Sequence, residues 1–251
     1  MSSRYESIGI KQTIRREWMD KVVNLLLAGL DAKAIRAELH EYMSDKNADG
    51  SVGKRSENTR NFVVVNLMNI WVNPPQDILP LRDDALAIIK DKPDLLFAMH
   101  WTMFCAVYPF WYNTAVQVGR LLNLQDQVTK KQIISRLKEK YGDREIIGRY
   151  SQYVIQAFGY WGVLAETEKK GFYLQGKVSK IIDEDAIALM FEAVLLTQKE
   201  GRSTVGELIN SPGLLPFSFT QVSASHLVSL NKRLYTSSFS TGDEYISIGN
   251  S

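Results

Sequence analysis

The sequence predicts a mainly α-helical chain interrupted at two places by short β-hairpins. Apolar residues recur at helical spacing along most of its length, two Thr-x-x-Gln/Glu capping boxes stand where helices should begin, and two pairs of short β-prone runs flank polar tips. Residues 14–28 set Ile14, Trp18, Val22, Leu25 and Leu26 on one stripe. Gly29 ends that helix, and Asp31 is placed to cap the next, 32–43, which carries Ile35, Leu39 and Met43 inward. A polar loop rich in turn formers follows over 44–55. Ser56 then opens a third helix that Asn73-Pro74-Pro75 stops, although Val63, Val64 and Val65 would suit a strand equally. Three short helices in this order predict a helix-turn-helix-like unit over residues 1–73.

A mildly acidic connector follows, with a short helix around 83–90. Between Asp94 and Arg120 there is no charged side chain, and the length would reach across a bilayer. His100, Pro109, Asn113 and Gln117 are costly or disruptive in hydrocarbon, and the aromatics are spread along the segment rather than gathered in two belts. The expectation is a buried core helix, bent or interrupted near Pro109, with no membrane partner.

Thr129-x-x-Gln132 begins a helix over 130–141 that should bury Ile133, Ile134, Leu137 and Tyr141 and end at Gly142. The next helix, 144–160, turns Ile147, Tyr150, Val154 and Phe158 inward and leaves Arg149, Gln152, Tyr153 and Gln156 towards solvent. After Gly162, residues 163–168 and 172–175 flank Lys169-Lys170-Gly171 as a hairpin with a basic tip. Helix, helix, turn, helix, hairpin is the order of a winged helix, so residues 74–180 are expected to form a winged-helix domain with a basic wing. Residues 181–251 repeat the order. Asp183, Glu184 and Asp185 stand at a helix start, and Thr204-x-x-Glu207 is the second capping box. A third helix is expected over 220–233 with Val222, Leu227 and Leu230, and a closing hairpin of 234–239 and 244–248 around Thr241-Gly242-Asp243. This second winged-helix-like module is acidic and offers mainly Lys232 and Arg233, which suits a protein contact better than DNA.

The 251 residues are 45 % hydrophobic and 23 % charged, as in an ordinary globular protein. The net charge of +2 is unevenly distributed: residues 128–180 hold eleven basic and five acidic side chains. Such a segment points to a polyanionic partner. The single cysteine, Cys105, excludes an internal disulfide and a cysteine metal cluster. With no apolar leader over Met1 to Lys11, a cytoplasmic location is expected. His40, His100 and His226 share no metal-ligand spacing, and each reads as a surface or satisfied core histidine. Nucleophile-elbow, phosphate-loop and dinucleotide motifs are absent, and Asp83-Asp84 reads as helix-start charge. The chain is therefore expected to need no cofactor and to be no enzyme.

Double-stranded DNA is the expected partner. Arg144, Arg149, Gln152 and Gln156 would supply exposed donors on one helix, as major-groove entry requires. Lys130 and Lys131 at the preceding helix start, and Lys169 and Lys170 on the wing, are placed for phosphates. Arg55, Asn58, Thr59 and Arg60 at the start of the third helix form a second candidate set. The same modules would also serve a protein-interaction scaffold or a transcriptional regulator.

The runs LLLAGLDAKAIRAELHEYMSD, KRSENTRNFVVVNLMNIWV, YPFWYNTAVQVGRLLNLQDQVTKKQIISRLKEKYG and FGYWGVL follow one another along residues 25–164. In spacing and apolar pattern this order resembles the small BrxA-type proteins of bacterial phage-exclusion (BREX) defence systems, over roughly residues 15–175. The chain departs from that pattern in its loop over 44–54 and its extended C-terminal tail. The resemblance implies a cytoplasmic, helical, DNA-binding accessory subunit that works beside methyltransferase and ATPase components, so other defence-system subunits become expected partners.

Overall fold

The computed structural model describes residues 8–238 and 244–249. Helix α1 (Arg16–Leu27) turns Trp18, Met19, Val22, Val23 and Leu25 inward. The Asp31 carboxylate accepts the Ala34 N–H at 2.7 Å and starts α2 (Ala32–Tyr42), and the Ser56 hydroxyl accepts the Thr59 N–H to start α3 (Glu57–Leu67). The valine run is helical. Val63 and Val64 are buried and Val65 is exposed, so burial on a helical face overrides the strand preference of the β-branched residues. The helix widens into a π-turn over Met68–Val72, closed by the Asn73 N–H on the Met68 carbonyl, and stops at Asn73, ahead of the two prolines.

Helix α4 (Leu79–Asp91) starts earlier than expected, because Pro80 fits the first helical turn, where no N–H is needed. The uncharged segment forms two helices, α5 (Leu96–Val107) and α6 (Pro109–Leu122), with Tyr108 at φ −124, ψ 86 between them. Pro109 disfavours helical geometry at the preceding residue, so the break falls where the sequence placed it. Among the described residues no helix is long and apolar enough to cross a membrane. The aromatics of α5 and α6 meet each other instead: Phe104 stacks on Trp111 at 4.0 Å between centroids, and Trp101 lies edge-on at 5.4 Å.

His100 is fully buried on α5. Its Nδ1 accepts the Trp71 indole N–H at 3.2 Å, so its own proton sits on Nε2, 2.8 Å from the Asp20 carboxylate. Burial lowers its pKa, and Asp20 opposes that only in part. An imidazole held neutral in the fold but free to protonate when unfolded stabilises the fold fully above about pH 6.5. That contribution is lost as pH falls from there towards the lower folded pKa. The unfolding free energy should therefore drop by up to about 1.4 kcal/mol per pH unit in that window. Denaturant titrations between neutral and mildly acidic pH should show this slope in the parent protein and a flatter one in His100→Gln.

Two antiparallel three-stranded sheets share one order. In the first, β1 (Val128–Thr129) runs through the Thr129–Gln132 capping box into α7 (Lys130–Tyr141). Next come α8 (Glu145–Tyr160), β2 (Leu164–Glu166) and β3 (Phe172–Gln175), in spatial order β1-β3-β2. After β4 (Ser179–Ile181) and α9 (Glu184–Leu195), β5 (Arg202–Thr204) enters α10 (Val205–Ile209) through the Thr204–Glu207 box. Then β6 (Phe217–Phe219), α11 (Ala224–Leu230), β7 (Leu234–Ser238) and β8 (Glu244–Ile248) give the order β5-β8-β7. The Thr241-Gly242-Asp243 tip lies outside the described residues.

Several expectations need correction in this last segment. The helix over 220–233 is only Ala224–Leu230, with Leu230 exposed. Residues 217–219 are drawn into a parallel pair with β4, and Ser223 caps the helix only after that strand. Asn231 is extended, its amide held 2.7 Å from the buried Glu192 carboxylate, which ends the helix. His226, by contrast, is one of the surface histidines, paired with Glu184 at 2.7 Å.

One core runs through all three expected segments. Trp161 on the residue after α8 donates to the Ile14 carbonyl at 2.9 Å, and Trp101 donates to the Gly213 carbonyl at 3.2 Å. α5 packs on α9, and α6 lies against the turn Pro212–Leu214. At that contact a Cβ on Gly119 would stand 2.3 Å from the Pro212 carbonyl oxygen, a backbone atom that cannot move aside alone. Gly119→Ala should cost about 1–3 kcal/mol or more by forcing the helix off the turn. A lowered urea midpoint would report it.

Candidate nucleic-acid interface

The first sheet determines where the basic side chains gather. Thr129 pairs with Phe172 in the β1–β3 register, and the Lys130 N–H donates to the Gly171 carbonyl at 3.0 Å. The start of α7 and the hairpin tip are thereby tied together, so Lys130 and Lys131 lie beside Lys169 and Lys170. Gly171 reverses the chain at φ +83, a conformation costly for any residue with a Cβ. The tip is braced by Gly171 N–H to the Glu166 carboxylate at 3.1 Å and by the Thr167 hydroxyl to the Lys169 carbonyl. The Lys169 ammonium sits 4.2 Å above the Phe172 ring, and both Lys169 and Lys170 are exposed. Glu166 and Glu168 offset part of this charge.

Along α8, Glu145, Arg149, Gln152 and Gln156 form one exposed stripe. Arg149 pairs with Glu145 at 2.9 Å, and both side chains are solvent-exposed. Such a pair is worth only a few tenths of a kcal/mol, about 0.3–0.5, and exchanges easily for a phosphate. Arg144 precedes the helix and donates to the Tyr141 carbonyl at 3.1 Å, bridging the turn between α7 and α8. Gln152 is open to solvent. Gln156 is already engaged, accepting the Thr13 hydroxyl at 2.9 Å.

The N-terminal set divides. Asn58 is exposed. Thr59 bonds the Ser56 hydroxyl at 2.9 Å within the cap. Arg55 folds its guanidinium over the Trp18 ring at 5.0 Å, and its two terminal nitrogens are shielded and without a partner among the described residues. That burial lowers its pKa. The Arg60 Nε is likewise shielded, and its charge, after burial itself, helps lower the pKa of His40. Asn58 is thus the member of this set most open to a partner.

Arg15 was not a candidate in the sequence. Its guanidinium lies 4.4 Å above the Tyr160 ring at the end of α8, while its side chain also touches the loop near Gly50. Arg15 therefore joins the 44–55 loop to the end of α8. No local pattern could reveal this contact, because its partners are distant in sequence.

The C-terminal sheet has the same strand order but carries fewer cations. Arg233 is consumed: its Nε and Nη2 grip the buried Glu192 at 2.7 and 2.9 Å, and Nη2 also meets Asp84 at 2.8 Å. Only Lys232 of the two expected cations is left exposed. Among the described residues no group of three or more His, Cys, Asp or Glu side chains could hold a metal. Comparison of the chain with family models, curated proteins and solved structures returned no match.

Proposed function

We propose that the protein is a non-catalytic double-stranded DNA-binding accessory protein, with α6, β1, α7, α8, β2 and β3 acting as a winged helix. In this reading α8 enters the major groove with Arg149 and Gln152, and the joined lysines at the start of α7 and the wing tip hold flanking phosphates. The observation that carries it is the Lys130–Gly171 bond, which draws four lysines from two elements to one end of the module. The C-terminal repeat, whose Arg233 is held by Glu192 and Asp84, is read as a packing or protein-contact module. The resemblance to BREX accessory proteins supports a cytoplasmic phage-defence setting, with other defence subunits as partners.

The test is fluorescence anisotropy of a random duplex from about 50 to about 300 mM salt. Neutralising about five phosphates gives a log–log slope of roughly −4 to −5. Absence of binding at the lowest salt would overturn the proposal.

A further inference from the structure

A cleft of about 1380 Å³ opens between α6, the second half of α7 and the C-terminal repeat. Five cations line it: Arg120, Arg136, Lys140, Lys199 and Arg202. The two carboxylates in its wall are occupied. Glu139 pairs with Arg136 at 3.2 Å, and Glu207 closes the α10 capping box, accepting from the Ser203 hydroxyl at 2.7 Å and the Thr204 N–H at 2.9 Å. Arg202 meets Glu200 at 3.1 Å. Arg120, Lys140 and Lys199 have no carboxylate partner among the described residues. Lys140 donates to the Asn113 amide oxygen at 2.5 Å, and desolvation in the cleft together with Arg120 lowers its pKa. Two like charges held in one cleft without a counter-ion are what a bound anion would relieve.

The rest of the wall sets the shape of that anion. Val116, Leu121, Val194 and Leu208 provide an apolar floor. The Tyr112 hydroxyl is locked to Ser211 at 2.7 Å and the Tyr141 hydroxyl to Asn113 at 2.6 Å, so the wall is preformed. Gln117 and Gln198 also line the cleft, and their side-chain amides make no hydrogen bond among the described residues. A bare phosphate would leave the apolar floor and both amides unused. A flat ring with amide-like edges joined to phosphates would use all three features. We propose that this cleft binds a phosphorylated nucleoside, with Arg120, Lys140 and Lys199 on the phosphates and Gln117 or Gln198 on the base edge. None of these residues belongs to the proposed duplex-binding face, so the inference stands independently of it.

Isothermal titration calorimetry of the full chain with ATP, AMP, a short single-stranded oligonucleotide and inorganic phosphate tests the assignment. Arg120→Ala and Lys199→Ala are the variants of choice, since neither removes a described ion pair, and their melting temperatures should match the parent. Saturable nucleotide binding that weakens at least about tenfold in either variant, with duplex binding unchanged, supports a free-nucleotide site. An oligonucleotide that binds at least about tenfold tighter than ATP and is lost in the same variants supports the same phosphate chemistry supplied by a nucleic-acid strand. The proposal fails if neither ligand binds at millimolar concentration, if the variants bind as the parent does, or if inorganic phosphate binds as tightly as the nucleotide.

Discussion

Replacing Lys169 and Lys170 together with glutamate is expected to weaken duplex binding by about 60-fold or more near 0.1 M salt. Each phosphate contact contributes about 0.9 to the salt exponent, roughly an eightfold change in affinity at that concentration, and two are removed. The log–log slope should flatten by about 2. The loss should be uniform across duplex sequences, because phosphate contacts carry no base information. The fold should survive: the tip is exposed, and the bonds that brace it run through Gly171, Glu166 and Thr167 rather than through the lysine side chains. The one local loss is the Lys169 contact with Phe172, about 0.5–1 kcal/mol at an exposed site. Anisotropy and a melting curve on the same sample separate the effects. Unchanged affinity and slope would remove the wing from the interface and leave α8 without its flanking support.

Trp111→Ala should be the most destabilising single change in the core, at about 3–5 kcal/mol. The indole stacks on Phe104 at 4.0 Å and meets Phe158 at 4.8 Å, Trp161 at 5.1 Å and Trp101 at 5.4 Å. These partners come from α5, α8 and the residue after α8, so the cavity would open where the elements that carry the interface converge. Its Nε1 is buried with no partner among the described residues. Trp111→Phe should therefore cost far less than the alanine change, since it keeps most of the ring and removes an unpaired donor. Urea unfolding of both variants is the measurement. A loss under about 1 kcal/mol for the alanine variant would contradict the packing.

Local chemistry made much of this fold legible. Asp31, Ser56, Thr129, Asp183 and Thr204 cap helices where their spacing to the following residues announced them, because a cap is a bond between near neighbours. Pro109 divided the apolar segment for an equally local reason. The basic hairpin tip was readable as well, since lysines and a glycine between β-prone runs leave few other conformations.

Contacts between distant residues were not legible. The parallel β4–β6 pair joins two three-residue strands too short to show periodicity, and it shortened the helix that follows. Whether a polar side chain is available to a partner was equally hidden. Arg55 lies over Trp18, Arg233 is held by Glu192 and Asp84, and Gln156 holds Thr13, although each reads in isolation as a solvent-facing donor. The sequence alone settled the helical character, the helix starts and the segment where positive charge accumulates, since these depend on bonds and patterns within a few residues. Tertiary packing decided which of those charges remain exposed and which cleft they line, because burial and pairing depend on side chains brought from elsewhere in the chain.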